Sequence, residues 1–387
     1  MKKRKIIHIY YRAYDSYFPS KDSEYYYLAG WSSAVARQTV KYTNKYIIEN
    51  WRPEREVKKT VVQEVQGIMC RLFPAKYMKP LEGWSPTMLK ELKKQAKGDE
   101  ILIHYSSIHS NSLYLIASLF RNIPIVAQQH GDSSPLMRFR QNKKPVTLLT
   151  HFVERRALKT VDHFFVLRKR ELEFLSSFLP KSQITLQTMG VDFEEFKPIN
   201  KEYARKKLNL PQNKKIMLYI GRFYKLKGVD IILRTFQDLK KRYNNELILI
   251  GGSPTDELYE DVKLSGARFY GRLPHNELPL YFSAADLYLL PTFDKIYAGI
   301  DVSSLEALAC NVPIVSTTLK DFPTDEWKKL GKIPKDEKDV TRCVSEILGN
   351  AFAHYNCREI AKKYYGWKSI IKNTIEIYDK LFEKYYE

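Results

Sequence analysis

Residues 296–317 read IYAGIDVSSLEALACNVPIVST. Small and apolar residues run from Val302 to Ala309. Asn311 follows, a residue that tolerates the left-handed conformation closing many helices, and then a β-branched run over 312–316. The spacing predicts a helix that starts near Val302 or Ser303 and ends at Ala309, then a strand. One carboxylate, Glu306, falls a turn inside that helix, on the side facing a loop that holds Gly299. A carboxylate there can accept hydrogen bonds from a vicinal diol such as a ribose, each worth about 1.5–3 kcal/mol when the acceptor is charged. The plain alternative is a glutamate on a helix surface.

Ahead of this stretch LYLLPT, residues 287–292, reads as a strand, and the same strand, loop and helix order occurs in IGRFYKLKGVD, residues 220–230. There Gly221 and Arg222 end the strand, and Lys227 and Gly228 open the helix. Two cations five residues apart around such a turn can converge on one anion, where the backbone N–H groups of the helix start also point. A diphosphate fits that place. Neither GxxxxGK[ST] nor GxGxxG occurs in the chain. Taken alone, Arg222 and Lys227 also read as surface charges.

The pattern extends through the chain. KIIHIYY, ILIHYSS, IPIVAQQH, HFFVLR and ITLQTMG form one series of short apolar runs; KIMLYIGR, LILIGG, ARFYGR, LYLLPT and VPIVST form a second. Each run is followed by polar or glycine residues and then by helical periodicity, the signature of parallel sheets wound by helices. The fold class is α/β, with two sheets. The polar, proline-containing segment 191–215 separates the series, which places the boundary near residue 200. Apolar residues at helical spacing from Ile360 to Leu381 predict a terminal helix able to cross back and brace the two domains.

Composition agrees. At 387 residues the chain exceeds one comfortable core, and 44% hydrophobic with 13% aromatic residues excludes a disordered chain. The formal charge of +20 is uneven: residues 1–200 hold 33 Lys and Arg against 19 Asp and Glu, leaving 31 against 25 for the rest. A basic front half suits polyanions, whether nucleic acid, anionic lipid or a phosphorylated substrate. No helix-turn-helix, RNP or zinc pattern is visible, so nucleic acid is not the expected partner. Cys70, Cys310, Cys343 and Cys357 show no CxxC spacing and read as reduced, mostly buried thiols of a cytoplasmic protein. The basic N-terminus lacks a signal-peptide core, and no apolar run reaches 18 residues.

GRxxxxKG and LEALACNVPIV, with TMGVDFEEFKP before them and DLYLLPT between, resemble the retaining glycosyltransferases of family 4, the group-one GT-B enzymes. The resemblance covers nearly the whole chain and is strongest over residues 188–316. It implies a GT-B fold: two Rossmann-like domains facing a cleft, with residues 1–200 binding the acceptor, residues 201–366 binding the nucleotide sugar, and a helix of about 367–387 packing back on the first domain. It implies that Gly221, Arg222 and Lys227 hold the donor diphosphate, that Glu306 binds the ribose, and that Gly299, Asp301 and Ser303 lie in the loop and helix start cradling the phosphate and sugar. ARFYGRLP, residues 267–274, resembles the segment that reads the base, through Arg272 and Leu273. VAQQHGD matches the strand end whose His130 lies by the transferred sugar, and AGWSSAV matches the early glycine loop, here with Gly30 alone.

Three positions depart from the family pattern. Ala298 stands where the first glutamate of E-x7-E belongs, Asp301 replaces a glycine or proline, and Met189 replaces the asparagine of NGVD. Asp301 and Asp294 are candidates to stand in for the missing glutamate. A relative with altered or lost activity is therefore the alternative reading. No DxD triplet is found, so the expected chemistry needs no metal and no cofactor. The implied partners are a nucleotide sugar and a saccharide or lipid-linked acceptor. An anionic membrane surface is a further expected partner, because Lys and Arg flank Met78, Trp84, Met88, Leu89, Phe139, Phe174 and Phe178.

Overall fold

The computed structural model describes residues 3–10, 24–28, 31–78, 81–130, 145–240, 242–293, 300–322, 325–349 and 355–387. They form two compact units, Met1–Gln187 with Ile370–Glu387, and Thr188–Ser369.

The strands of the first unit are β1 (Arg4–Ile9), β2 (Ile47–Glu54), β3 (Val61–Val65), β4 (Ile68–Pro74), the short pair β5 (Lys76–Met78) and β6 (Leu81–Trp84), β7 (Glu100–Tyr105), β8 (Ile125–Gln128), β9 (His163–Val166) and β10 (Ile184–Leu186). Eight of them form one sheet in the order β10-β9-β8-β7-β1-β2-β4-β3, parallel except for the β3–β4 pair. Both faces are covered, so β1 and β7 read as nearly continuous apolar runs. Ile7, Ile9, Ile103 and Tyr105 enter one core with Leu92 and Leu113. Ile6, Ile48, Leu102 and Phe165 enter the other with Tyr378, Leu381 and Phe382 of the helix Trp367–Tyr386. That helix belongs to the first unit from Ile370 onward. Beneath it His8 and His104, opposite each other on β1 and β7, stack at 4.8 Å, and burial pushes His8 down to about 3. Tyr378 Oη lies 2.5 Å from His104 Nδ1.

The second unit carries β11 (Lys215–Gly221), β12 (Asn245–Gly251), β13 (Arg268–Tyr270), β14 (Leu287–Leu290), β15 (Ile314–Ser316) and β16 (Gly331–Lys332). All are parallel, in the order β13-β12-β11-β14-β15-β16. The winding reverses between β11 and β14, the strands that precede the two motifs singled out above. In such sheets ligands bind outside the strand ends at that reversal.

All ten apolar runs read from the sequence are strands. The division between units falls after Gln187 rather than near 200. The reason is packing: Val191, Phe193 and Phe196 are buried in the core of the second unit, and the Val191 amide donates to the Tyr365 carbonyl at 3.0 Å. Arg358 fastens this entry segment by donating to the carbonyls of Phe193 (2.7 Å), Phe196 (2.8 Å) and Ala309 (2.7 Å). Arg358→Met, which keeps the apolar stem and removes the donors, should cost about 1–3 kcal/mol and lower the calorimetric melting temperature by several degrees. An unchanged melting point would show that water replaces the guanidinium at these carbonyls.

Candidate functional site

The two loops flanking the β11–β14 reversal are tied together. After β11 the turn Lys225–Lys227 ends in Gly228 at φ +73°, where a Cβ would lie 2.3 Å from the Pro291 carbonyl oxygen. Only glycine permits that approach. Thr292 Oγ1 donates to the Leu226 carbonyl at 2.7 Å, and the buried Tyr288 hydroxyl lies 2.8 Å from Ser303 Oγ and 3.2 Å from the Ile220 carbonyl. The helix predicted after the second loop is Val302–Ala309, and Asn311 has φ +61°.

Of the expected residues, Gly221, Arg222, Lys227, Asp301 and Ser303 fall on these loops and helix starts. Lys227 Nζ lies 2.5 Å from Asp301 Oδ2, and Asp301 occupies the N-cap of Val302–Ala309 without capping it through its side chain. Arg222 is engaged by a carboxylate that the sequence reading passed over: its Nε lies 2.7 Å from Asp256 Oδ1. The Phe223 and Ser253 amides also donate to Asp256, at 2.9 and 3.1 Å. Burial works against the Asp256 charge, yet Arg222 and the Phe223 amide hold the carboxyl below its usual range. Arg222 is thereby both a half-exposed cation and part of the loop's framework. Arg272 is exposed and Leu273 half-buried beyond β13. Gly299, Ala298 and Asp294 lie outside the described residues.

Glu306 is not on the helix surface. It is 4% exposed and its Oε1 lies 2.7 Å from His275 Nε2. His275 follows Pro274, one residue past the segment read as base-binding. Its Nδ1 lies 3.6 Å from Glu195 Oε1. Burial opposes the imidazolium charge, but Glu195 and Glu306 outweigh it and push His275 up to about 10. Burial pushes the Glu306 carboxyl above its usual range, with His275 pulling it back. Nothing in the spacing of His275, Glu195 and Glu306 along the chain announces that they meet.

In the first unit His130 stands two residues past the end of β8, half-buried. Its neighbour Gln129 donates to Glu171 Oε2 at 3.1 Å and accepts from the Leu167 amide at 3.2 Å. Glu171 Oε1 lies 2.7 Å from His109 Nε2, and His109 Nδ1 lies 2.5 Å from Glu154 Oε1, which also accepts from Tyr114. Burial opposes the His109 charge, but the two flanking carboxylates raise its pKa well above the ordinary value. This charged network, also missed in the sequence, fixes the peptide next to His130. Gly30 lies outside the described residues. Met88 is buried, and Leu89, Phe174 and Phe178 pack partly buried against the core, so these apolar residues serve packing rather than an outer surface. Trp84 is half-buried. Phe139 and the Met78 side chain lie outside the described residues. All four cysteines are free and buried.

Residues 214–350 match the model of the family described as glycosyl transferases group 1. A D-inositol 3-phosphate glycosyltransferase of Corynebacterium urealyticum is 28% identical over 52% of this chain, and the match spans about half of that relative's own length. A D-inositol 3-phosphate glycosyltransferase of Catenulispora acidiphila is 25% identical over 84% of this chain and 83% of its own. Among solved structures, the sucrose-phosphate synthase of Thermosynechococcus elongatus superposes with a TM-score of 0.73 at 19% identity, covering 98% of this chain and all of that one. The Anabaena protein HepE, in complex with UDP, gives 0.68 at 14% identity, covering 97% and 100%. The fold is GT-B. Residues 214–350 are thus similar to the glycosyl transferases of group 1.

The His275 pair yields a pH signature. Its pKa is raised from an ordinary 6.5 to about 10, so the stability it contributes is complete below pH 6.5 and is lost as pH climbs to about 10. The melting-temperature gap between wild type and His275→Asn should therefore narrow steadily over that window. A gap that stays constant from pH 6 to 10 would show that His275 is not charged in the folded protein.

Proposed function

We propose that the protein transfers a sugar from a nucleotide sugar to a saccharide or lipid-linked acceptor, with retention at the anomeric carbon and without a metal ion. The observation that carries this reading is the meeting, at the β11–β14 reversal, of two cations, a helix start and one buried carboxylate. Glu306 receives ribose hydroxyls. Lys227, Arg222 and the start of the helix Val302–Ala309 meet the diphosphate. As the glycosidic bond breaks, negative charge grows on the departing phosphate, and cations fixed there stabilise the transition state more than the bound donor. Two unit charges about 4 Å apart attract by about 4 kcal/mol at an effective dielectric of 20. Lys227 exchanges Asp301 for phosphate in this scheme, while Arg222, braced by Asp256, keeps its place. No protein nucleophile enters the scheme, in keeping with same-face displacement. The UDP and UDP-glucose complexes of HepE support a nucleotide-sugar donor.

Lys227→Ala and Arg222→Ala should each lower turnover of the donor by about 10²–10³, measured by release of nucleoside diphosphate, with activity unchanged by EDTA. Wild-type turnover in either variant would remove the diphosphate assignment, and loss of activity in EDTA would remove the metal-free scheme.

One further observation favours attachment to an anionic membrane. On the helix Pro145–Leu158, Phe152 and Val153 are 66% and 54% exposed beside exposed Arg155 and Arg156, with Lys159 following. An exposed apolar pair within a basic face suits anionic lipid, each cation adding about 1 kcal/mol near the headgroups. Sedimentation with phosphatidylserine vesicles at low salt should pellet the protein, and Phe152→Glu should release it. Equal recovery with neutral and anionic vesicles would remove the idea.

A further inference from the structure

Glu306 faces two tasks that conflict. It is buried, which favours its neutral form, and a ribose diol is recognised best by a charged acceptor. The structure reconciles them with one side chain. His275 begins the turn His275–Glu277 after Pro274, and its ring rests on Phe196 with centroids 4.9 Å apart. Both ring nitrogens face carboxylate oxygens, Nε2 that of Glu306 at 2.7 Å and Nδ1 that of Glu195 at 3.6 Å. An imidazolium donates to Glu306 from Nε2 and carries a charge that also faces Glu195. The His275 side chain is 49% exposed while that of Glu306 is 5% exposed, so the cation closes over the carboxylate from the solvent side. Among the described residues, Glu306 Oε2 accepts no hydrogen bond from the protein.

We propose that His275 is the positioning residue of the ribose site: it pins Glu306 Oε1, keeps the carboxylate ionised, and presents Oε2 to a ribose hydroxyl. This rests on the ribose assignment made under the proposed function. The other groups that bear on the pair are Glu195, Asp301 with its partner Lys227, Tyr288, and Cys310 with Arg358 beyond it. Asp301 and Glu195 raise the Glu306 pKa, and His275 opposes them. Among the described residues no other cation pairs with Glu306.

The test uses the full chain and calorimetric titration between pH 6 and 9. The probe is whichever of UDP, GDP and ADP binds wild type most tightly, beside its 2′-deoxy and 3′-deoxy analogues and inorganic pyrophosphate. In wild type, removing a ribose hydroxyl weakens binding, and affinity is flat with pH. In His275→Asn, nucleoside diphosphate binding falls at least tenfold at pH 7, the penalty for the deoxy analogues shrinks, pyrophosphate binding stays within twofold, and affinity climbs with pH as Glu306 ionises. His275→Lys, which keeps a cation, restores the flat pH response; it carries the test if His275→Asn does not fold. A merely structural role would weaken pyrophosphate as well and leave the deoxy penalty intact, and that result overturns the proposal. If wild type binds none of the three nucleotides, the reading of the site itself fails. If wild type binds and His275→Asn matches it, the assignment of His275 alone fails.

Discussion

In the second unit β11 lies between β12 and β14, so the chain must leave these two central strands toward opposite faces of the sheet. This reversal opens a gap at their carboxyl ends whatever residues are present. The residues decide how narrow it is. Gly228 lets the first loop touch Pro291, Thr292 reaches back to Leu226, and Tyr288 bridges from β14 toward Ile220 and Ser303. The described ends of the two loops are thereby fixed to the same strand ends, and Lys227 and Asp301 meet beside them.

A buried carboxylate is expensive unless donors meet it, and the protein meets its own in contrasting ways. Asp256 takes a guanidinium and two backbone amides, and its pKa falls below the usual range. It is fully used, and suits a structural role that holds Arg222 in place. Among the described residues Glu306 has one donor, and its pKa stays raised. It is incompletely satisfied, and so retains capacity for a ligand. In the first unit His109 sits between Glu154 and Glu171, and the second of these orders Gln129 beside His130. The same pairing of an imidazolium with two carboxylates thus appears in each unit, fully buried in one and half-open in the other.

Periodicity and turn chemistry in the sequence led to the ten core strands, the helix Val302–Ala309 and the left-handed Asn311, because each is dictated by neighbours along the chain. β2 escaped notice because its sequence, IIENWRPE, looks like a charged loop. Its Glu49, Asn50, Arg52 and Glu54 are nonetheless buried, with Arg52 donating to the Tyr26 carbonyl at 2.8 Å and Glu49 accepting from Trp51 at 2.7 Å. No hydropathy pattern reports charges that are paired inside. The same blindness hid Asp256, His275 and the His109 network. Partners 31 to 80 positions apart along the chain are a property of the fold, and the local sequence around PHNEL or SSIHS carries no mark of them.

The terminal helix has a consequence for how the chain is made. The sheet of the first unit is assembled from residues up to 187, but one of its faces is covered by Tyr378, Leu381 and Phe382. At about 5–20 residues per second, synthesis of residues 188–369 takes roughly 10–40 s, during which the core around Ile6, Leu102 and Phe165 lacks Tyr378, Leu381 and Phe382. Of the two units, the first is begun before the second and completed after it. A chain broken off anywhere within the second unit lacks Tyr378, Leu381 and Phe382, and that core stays incomplete.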